Sequence, residues 1–230
     1  CRPTGDGTLD ENTRHRIPSF QCSGRDVGHR TRLYRCVAER LEAVSHQQLS
    51  QIRDGLQFLR EAQSSQERGN RIYNSLVYDY LYTDPSHVMA FIENHDTDRF
   101  LGNGRDTLAL KQALALLLTI NRTPQLYYGT EILMNGTKER TDGDVRRDFP
   151  GGFPGDSRNA FTREGRTPEE NAMFDWMSRL LHWRQGNDVI TKGRQTQFIP
   201  HKGVYVVARR HDGCTVLTIL NGTSKPAALE

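Results

Sequence analysis

From position 70 onward the apolar positions fall into regular periods. Tyr73 to Tyr82 reads as an aromatic-rich helix. Pro85 breaks it, and Val88-Met89-Ala90-Phe91-Ile92 follows as a continuous apolar run suited to a strand buried on both faces. Thr107 to Thr119 is apolar almost all round, which predicts a well-buried helix. Pro124 to Gly129 predicts a second short strand, one βαβ repeat after the first, so the two should lie parallel.

Glu131 to Arg166 is a polar excursion too long for an ordinary connection; such loops are functional or disordered. It ends at Thr167-Pro168-Glu169-Glu170, where Thr can cap, Pro can occupy the first helical position and Glu170 can complete a capping box. The helix that follows places Met173, Phe174, Met177, Leu180 and Leu181 on one face and should stop at Gly186. The period then becomes that of strands: Thr196–Pro200, Val204–Arg210 and Thr215–Leu220, with Asp212-Gly213 and Asn221-Gly222 as turns. A small antiparallel β domain therefore begins near Asp188.

Residues 1–69 lack this consistency. Helix-like stretches occur at Tyr34 to Val44 and Leu49 to Ala62, but there is no strand run and little large apolar surface to bury. Their 11 Arg are offset by 9 acids without aromatic interleaving, and the whole chain carries only +3, so neither argues for a nucleic acid partner. No apolar run approaches the ~18–20 residues of a membrane helix, which excludes membrane insertion by that route. At 230 residues the chain is shorter than a complete (β/α)₈ barrel of ~250 residues with an accessory domain. It starts at Cys1 with no apolar leader run, so neither a signal peptide nor a natural N-terminus is visible. Cys1, Cys22, Cys36 and Cys214 are scattered with no Cys-x-x-Cys pair and read as ordinary thiols rather than zinc ligands or a disulfide framework.

The chemistry concentrates in Glu93-Asn94-His95-Asp96-Thr97-Asp98-Arg99, directly after the first predicted strand. In parallel α/β architectures the carboxyl ends of strands are where ligand and catalytic groups collect. An Asp there can stabilise a developing cation or orient a hydroxyl, and the adjacent His can bond the same substrate. A charged loop that only solvates the sheet edge is the bland alternative.

The run Phe91-Ile92-Glu93-Asn94-His95-Asp96 resembles the fourth signature region of the α-amylase family of glycoside hydrolases, and Pro124 to Ile132 resembles that family's eighth barrel strand. Asp144 to Gly152 is similar to bacterial neopullulanases and cyclomaltodextrinases. The resemblance covers about 70–230. It implies an α/β fold: the C-terminal part of a (β/α)₈ barrel over 70–187, then the start of an antiparallel β-sandwich domain over 188–230, with 1–69 unassigned. It further implies a fragment of a retaining hydrolase of α-1,4-linked glucans, pullulan or cyclomaltodextrins. Asp96 would be the transition-state stabiliser, and His95, Asn94 and Arg99 would bind substrate. Glu93, three residues from Asp96 on one loop, would have a supporting role. The resemblance leaves room for a structural calcium ion, implies no other cofactor, and points to a periplasmic or secreted location.

A retaining mechanism also needs a nucleophile and an acid ~5–5.5 Å apart. The family's Gly-x-Arg-x-Asp and Gly-Glu-x-Trp runs, which supply them, do not occur here. Ser23 to Thr31, back-translated with one permitted codon set and read one nucleotide later, becomes Val-Gly-Glu-Thr-Trp-Val-Thr-Glu, which contains the acid's motif. A shifted reading frame over residues 1–69 is therefore expected. Two other functions remain. One is a non-catalytic starch-binding remnant using Tyr127, Tyr128, Trp176 or Trp183, although the two Trp lie on or beside an amphipathic helix and are expected to pack in the core. The other is a metal phosphohydrolase built on His95, Asp96 and Asp98, which lacks further ligands at a suitable spacing.

Overall fold

The computed structural model describes residues 65–102 and 106–227. The expectations for earlier residues, including the two helical stretches, the shifted frame and Cys1, Cys22 and Cys36, lie outside them. Helix α1 (Ser65–Val77) passes into 3₁₀ turns at Tyr78–Leu81 and Pro85–His87. Then come β1 (Met89–Ala90), α2 (Thr107–Leu117), β2 (Thr123–Pro124), a 3₁₀ turn at Thr130–Ile132, and α3 (Asp142–Val145). Helices α4 (Pro168–Gln185) and α5 (Asp188–Thr191) lead into β3 (Arg194–Gln197), β4 (Val204–His211) and β5 (Cys214–Asn221). Strands β1 and β2 pair in parallel, and β3-β4-β5 form an antiparallel sheet in chain order. One apolar core joins them: Ile72 and Leu76 of α1, Ala90 of β1 with Phe91 and Ile92 beyond it, six side chains of α2 (Ala109, Leu110, Ala113, Leu114, Leu116, Leu117), Met173 and Met177 of α4, and Tyr205, Val207 and Leu220 of the sheet.

The parallel arrangement agrees with the expectation, but the strands are shorter than their apolar runs. The Thr123 amide donates to the Val88 carbonyl (3.0 Å) and the Gln125 amide to that of Ala90 (2.7 Å). After that, the second strand turns into Thr130–Ile132 through Gly129, which has φ 83°. A side chain at Gly129 would meet the Met134 sulfur at 2.2 Å, so the turn needs glycine. Phe91 and Ile92 remain buried without a ladder; their hydrophobicity reports burial rather than strand length. Helix α2 starts on Asp106, whose carboxylate accepts from the amides of Leu108 and Ala109 (both 3.0 Å). It is less enclosed than its composition predicts, since Leu108 is 71% exposed on the outer face. It also ends two residues early: the Thr119 hydroxyl donates to the Ala115 carbonyl (2.7 Å) instead of the chain continuing as helix.

The capping box of α4 forms as expected. The Thr167 hydroxyl accepts from the Glu170 amide (3.2 Å), and the Glu170 carboxylate accepts from the Thr167 amide (2.8 Å). The same carboxylate takes both terminal nitrogens of Arg158 (2.6 and 2.9 Å), which ties the long excursion to the helix start. The excursion also pairs Phe149 with Phe161 and lays Arg166 over the Phe174 ring at 4.0 Å. Gly186 does cap the far end of α4, but with φ −90° rather than a left-handed turn.

Hydrogen bonds from Arg158 and the Thr167 amide hold the Glu170 carboxyl below the usual carboxylate range, with Arg158 the larger cause. A depressed native pKa contributes stability that is complete above the unfolded value near pH 4.5 and is lost as pH falls through the native one. Wild type should therefore lose melting temperature between pH 5.5 and pH 3 more steeply than Glu170→Gln does; parallel profiles would remove the ion pair from the account.

In the β unit the Asp212-Gly213 turn has φ 46° and 75°, the doubly positive geometry of a tight hairpin, and joins β4 to β5 as expected, with His211 opposite Cys214. Asn221-Gly222 differs: the Asn221 side chain accepts from the Thr223 amide (2.9 Å) and ends β5 instead of opening a hairpin. Strand β3 lies two to three residues earlier than Thr196–Pro200, which leaves Phe198 and Ile199 exposed past its end. The sheet is tied to α2 by Arg209, which is buried and donates from Nε and Nη2 to the Gly193 carbonyl (3.1 and 2.7 Å) and from Nη1 to that of Thr119 (3.3 Å). Cys214 is a free, exposed thiol. Among the described residues no helix is long and apolar enough to cross a membrane.

Candidate functional site

Because β1 and β2 are parallel, the segments that follow them emerge at the same end. Loop 93–99 meets residues 127–130 there, and the excursion closes over both. Inside the loop, the Asn94 side-chain oxygen accepts from the Asp96 amide (2.9 Å) and the Thr97 hydroxyl accepts from the Asn94 amide (3.0 Å). These two bonds form a tight polar turn with His95 and Asp96 at its crest. The side chains of His95 and Asp96 are 61% and 63% exposed, with Nε2 3.2 Å from the Asp96 carboxylate. Asn94 is half-buried at their side.

Two residues of the excursion that sequence reasoning assigned no role complete this surface. Arg146 donates from Nε to the His95 carbonyl (2.9 Å) and from Nη2 to the Asp96 carboxylate (3.0 Å), while the same Nη2 reaches Asp142 at 3.3 Å. Lys138 donates its amide to the Asp98 carboxylate (2.7 Å) and its ammonium to the Asp96 carbonyl (3.3 Å). Arg146 lies some 50 positions from Asp96 (|i−j| = 50), so no local spacing signals the contact. The only available hint was the likeness of 144–152 to known enzymes. Gly136 permits the approach, because a side chain there would meet the Asp144 carbonyl at 2.3 Å.

Arg99 is placed differently from the expectation. Its side chain is fully enclosed, 0% exposed, and touches protein rather than the open surface where a ligand would sit. It donates from Nε to the Val145 carbonyl (3.0 Å) and from Nη1 to that of Tyr128 (2.6 Å), and its guanidinium lies 3.9 Å from the centre of the Tyr127 ring. Nη1 is also 3.5 Å from Glu93, whose side chain is 2% exposed. Glu93 further accepts from the Phe100 amide and from the Thr130 hydroxyl. Burial pushes the Glu93 carboxyl above its ordinary value, against the pull of these donors.

Of the aromatic candidates for sugar stacking, Tyr127 is covered on one face by Arg99, and Tyr128 is exposed but donates its hydroxyl to the Arg147 carbonyl (2.7 Å). Trp176 packs against the core as expected. Trp183, at the end of α4, instead remains 41% exposed, because only one side of that last turn is covered. Asp98 faces Lys138 rather than joining His95 and Asp96 as a ligand set, and among the described residues no three His, Cys, Asp or Glu side chains are grouped to hold a metal ion.

Residues 195–230 match the cyclo-malto-dextrinase C-terminal domain family, a stretch that contains β4, β5 and nearly all of β3. A cyclomaltodextrin glucanotransferase of Paenibacillus macerans is 30% identical over 158 residues, 69% of this chain and 19% of the relative. The crystal structure of the γ-CGTase from alkalophilic Bacillus clarkii aligns with a TM-score of 0.52 at 27% identity, covering 74% of this chain and 22% of that one. An α-amylase from Geobacillus thermoleovorans, solved with acarbose, shares the fold with a TM-score of 0.60 at 24% identity, over 83% of this chain and 40% of that one. The chain spans about a fifth of the length of the first curated relatives it matches. The fold, an α/β arrangement with a small antiparallel sheet at its C-terminal side, is shared with a solved α-amylase. By sequence it is similar to enzymes of the α-amylase family, with enzymes named for cyclomaltodextrins among its relatives.

Proposed function

We propose that the chain is the late part of an α-glucan hydrolase, with residues 70–187 contributing the last strands and helices of a (β/α)₈ barrel and 188–230 opening a C-terminal β domain. Its substrates are α-1,4-linked glucans, pullulan or cyclomaltodextrins. The observation that carries this reading is the exposed His95–Asp96 pair on a braced loop at the carboxyl end of β1, beside the parallel β2. A carboxylate so placed holds sugar hydroxyls and gains strength as the ring becomes an oxocarbenium ion, while the imidazole bonds a neighbouring hydroxyl. Arg146 keeps the carboxylate oriented, and Asn94 holds the turn that presents it. Retention requires a nucleophile and an acid on opposite sides of the scissile bond. Since neither of the family's runs for them occurs in the sequence, both are assigned to barrel strands outside residues 70–230.

The purified 230-residue chain should release no reducing sugar above background from starch, pullulan or a cyclomaltodextrin, whereas the product of the complete gene should release it readily. Robust turnover by the 230-residue chain would overturn the placement of the catalytic pair elsewhere. Inactivity of the complete product on all three substrates would overturn the glucan reading itself.

A further inference from the structure

We infer that Arg99, braced by Glu93, is the positioning residue for Asp96; the inference rests on the proposed role of Asp96. The geometry has three parts. Glu93 and Arg99 bracket the polar turn, and both are buried beneath its exposed crest. The Glu93 carboxylate closes the base of the turn by accepting from the Phe100 amide, one residue past Arg99. Arg99 then fastens that base to two other segments: its backbone amide donates to the Gly136 carbonyl (3.1 Å), Nη1 to that of Tyr128 and Nε to that of Val145.

Val145 is the neighbour of Arg146, the residue that bonds the Asp96 carboxylate. One planar guanidinium therefore locates the loop that carries Asp96 and the residue that orients it. Its rigid fork suits this task, because it addresses two carbonyls in fixed directions while its face rests on Tyr127. A lysine has a single flexible ammonium and cannot reach both carbonyls at once. Asp96 itself is exposed and held by contacts at the surface, so its position is only as firm as the base beneath it.

A group displaced by about 1 Å can cost on the order of 10²-fold in rate. Arg99→Lys in the complete gene product should lower kcat ~10–100-fold with KM within about threefold. The same substitution in an Asp96→Asn background should cost less than about threefold, because the group being positioned is already lost. Amide hydrogen exchange should accelerate in the peptide spanning 94–98 and stay unchanged in α4. Equal losses of kcat in both backgrounds would reduce Arg99 to general support of the fold and overturn the inference. So would an unchanged kcat, or unchanged exchange at 94–98. If the complete product has no glucan activity, or Asp96→Asn turns over normally, the functional reading fails, and the exchange measurement alone then decides whether Arg99 holds the loop. Should Arg99→Lys not fold, Glu93→Gln, which keeps the shape and removes the charge opposite Arg99, is expected to show the same pattern at smaller amplitude. Its failure to do so would equally overturn the inference.

Discussion

Asp96→Asn in the complete enzyme should lower kcat by ~10²–10³, with kcat/KM falling in step and KM little changed. The amide keeps the shape of the side chain and can still accept from Arg146 through its oxygen, so the loop should survive the change. What it loses is a full negative charge whose attraction grows as the sugar becomes cationic. Such an interaction belongs mainly to the transition state and therefore appears in turnover. His95→Ala should cost less in kcat and raise KM as well, since a neutral hydrogen bond to a hydroxyl is made in the ground state too. Steady-state kinetics on a soluble malto-oligosaccharide would separate the two patterns. Near-normal turnover by Asp96→Asn would remove this loop from the chemistry.

Arg209→Met should be the most destabilising change in the β unit. The side chain is buried, and its three donors satisfy the Gly193 and Thr119 carbonyls at the junction of α2 with the sheet. Burial, with a smaller contribution from Arg184, depresses its guanidinium pKa to about 10. Methionine fills similar volume but leaves both carbonyls without these partners, at about 1–3 kcal/mol for each buried acceptor. At roughly 2–4 °C per kcal/mol for a domain of this size, melting temperature should fall by ~4–24 °C. The exposed neighbour Arg210, changed to Met, should stay within about 0.5 kcal/mol of wild type. Equal effects at the two positions would show that the junction carries no such weight.

Glycine defines where the site's loops can turn and approach. Gly129 and Gly136 both stand where any side chain would collide, the first with Met134 and the second with the Asp144 carbonyl. Both lie on the path by which residues 128–147 fold back over the His95–Asp96 loop. Alanine at either position would move the excursion, and Arg146 with it.

The elements most legible in the sequence are those whose forces act over a few residues. The Thr167–Glu170 capping box and the Asp212-Gly213 turn between β4 and β5 are complete within short windows and appear as written. The polar run after the first apolar segment likewise marked the carboxyl end of β1, because a buried strand followed by seven polar residues has few other places to put them. Strand lengths were not legible, since a ladder ends where its partner turns away, and Phe91 and Ile92 are buried whether or not they are paired. The fate of Arg99 was equally hidden: a charged residue on a polar loop reads as solvated until carbonyls from residues 128 and 145 arrive to enclose it. The sequence by itself thus determined which segments tend to be helical or extended and which loop gathers the candidate polar groups. Only the tertiary structure decided which of that loop's charges meet solvent and which are spent on holding it, because burial and hydrogen bonding depend on groups some 30 to 50 positions away that no local period encodes.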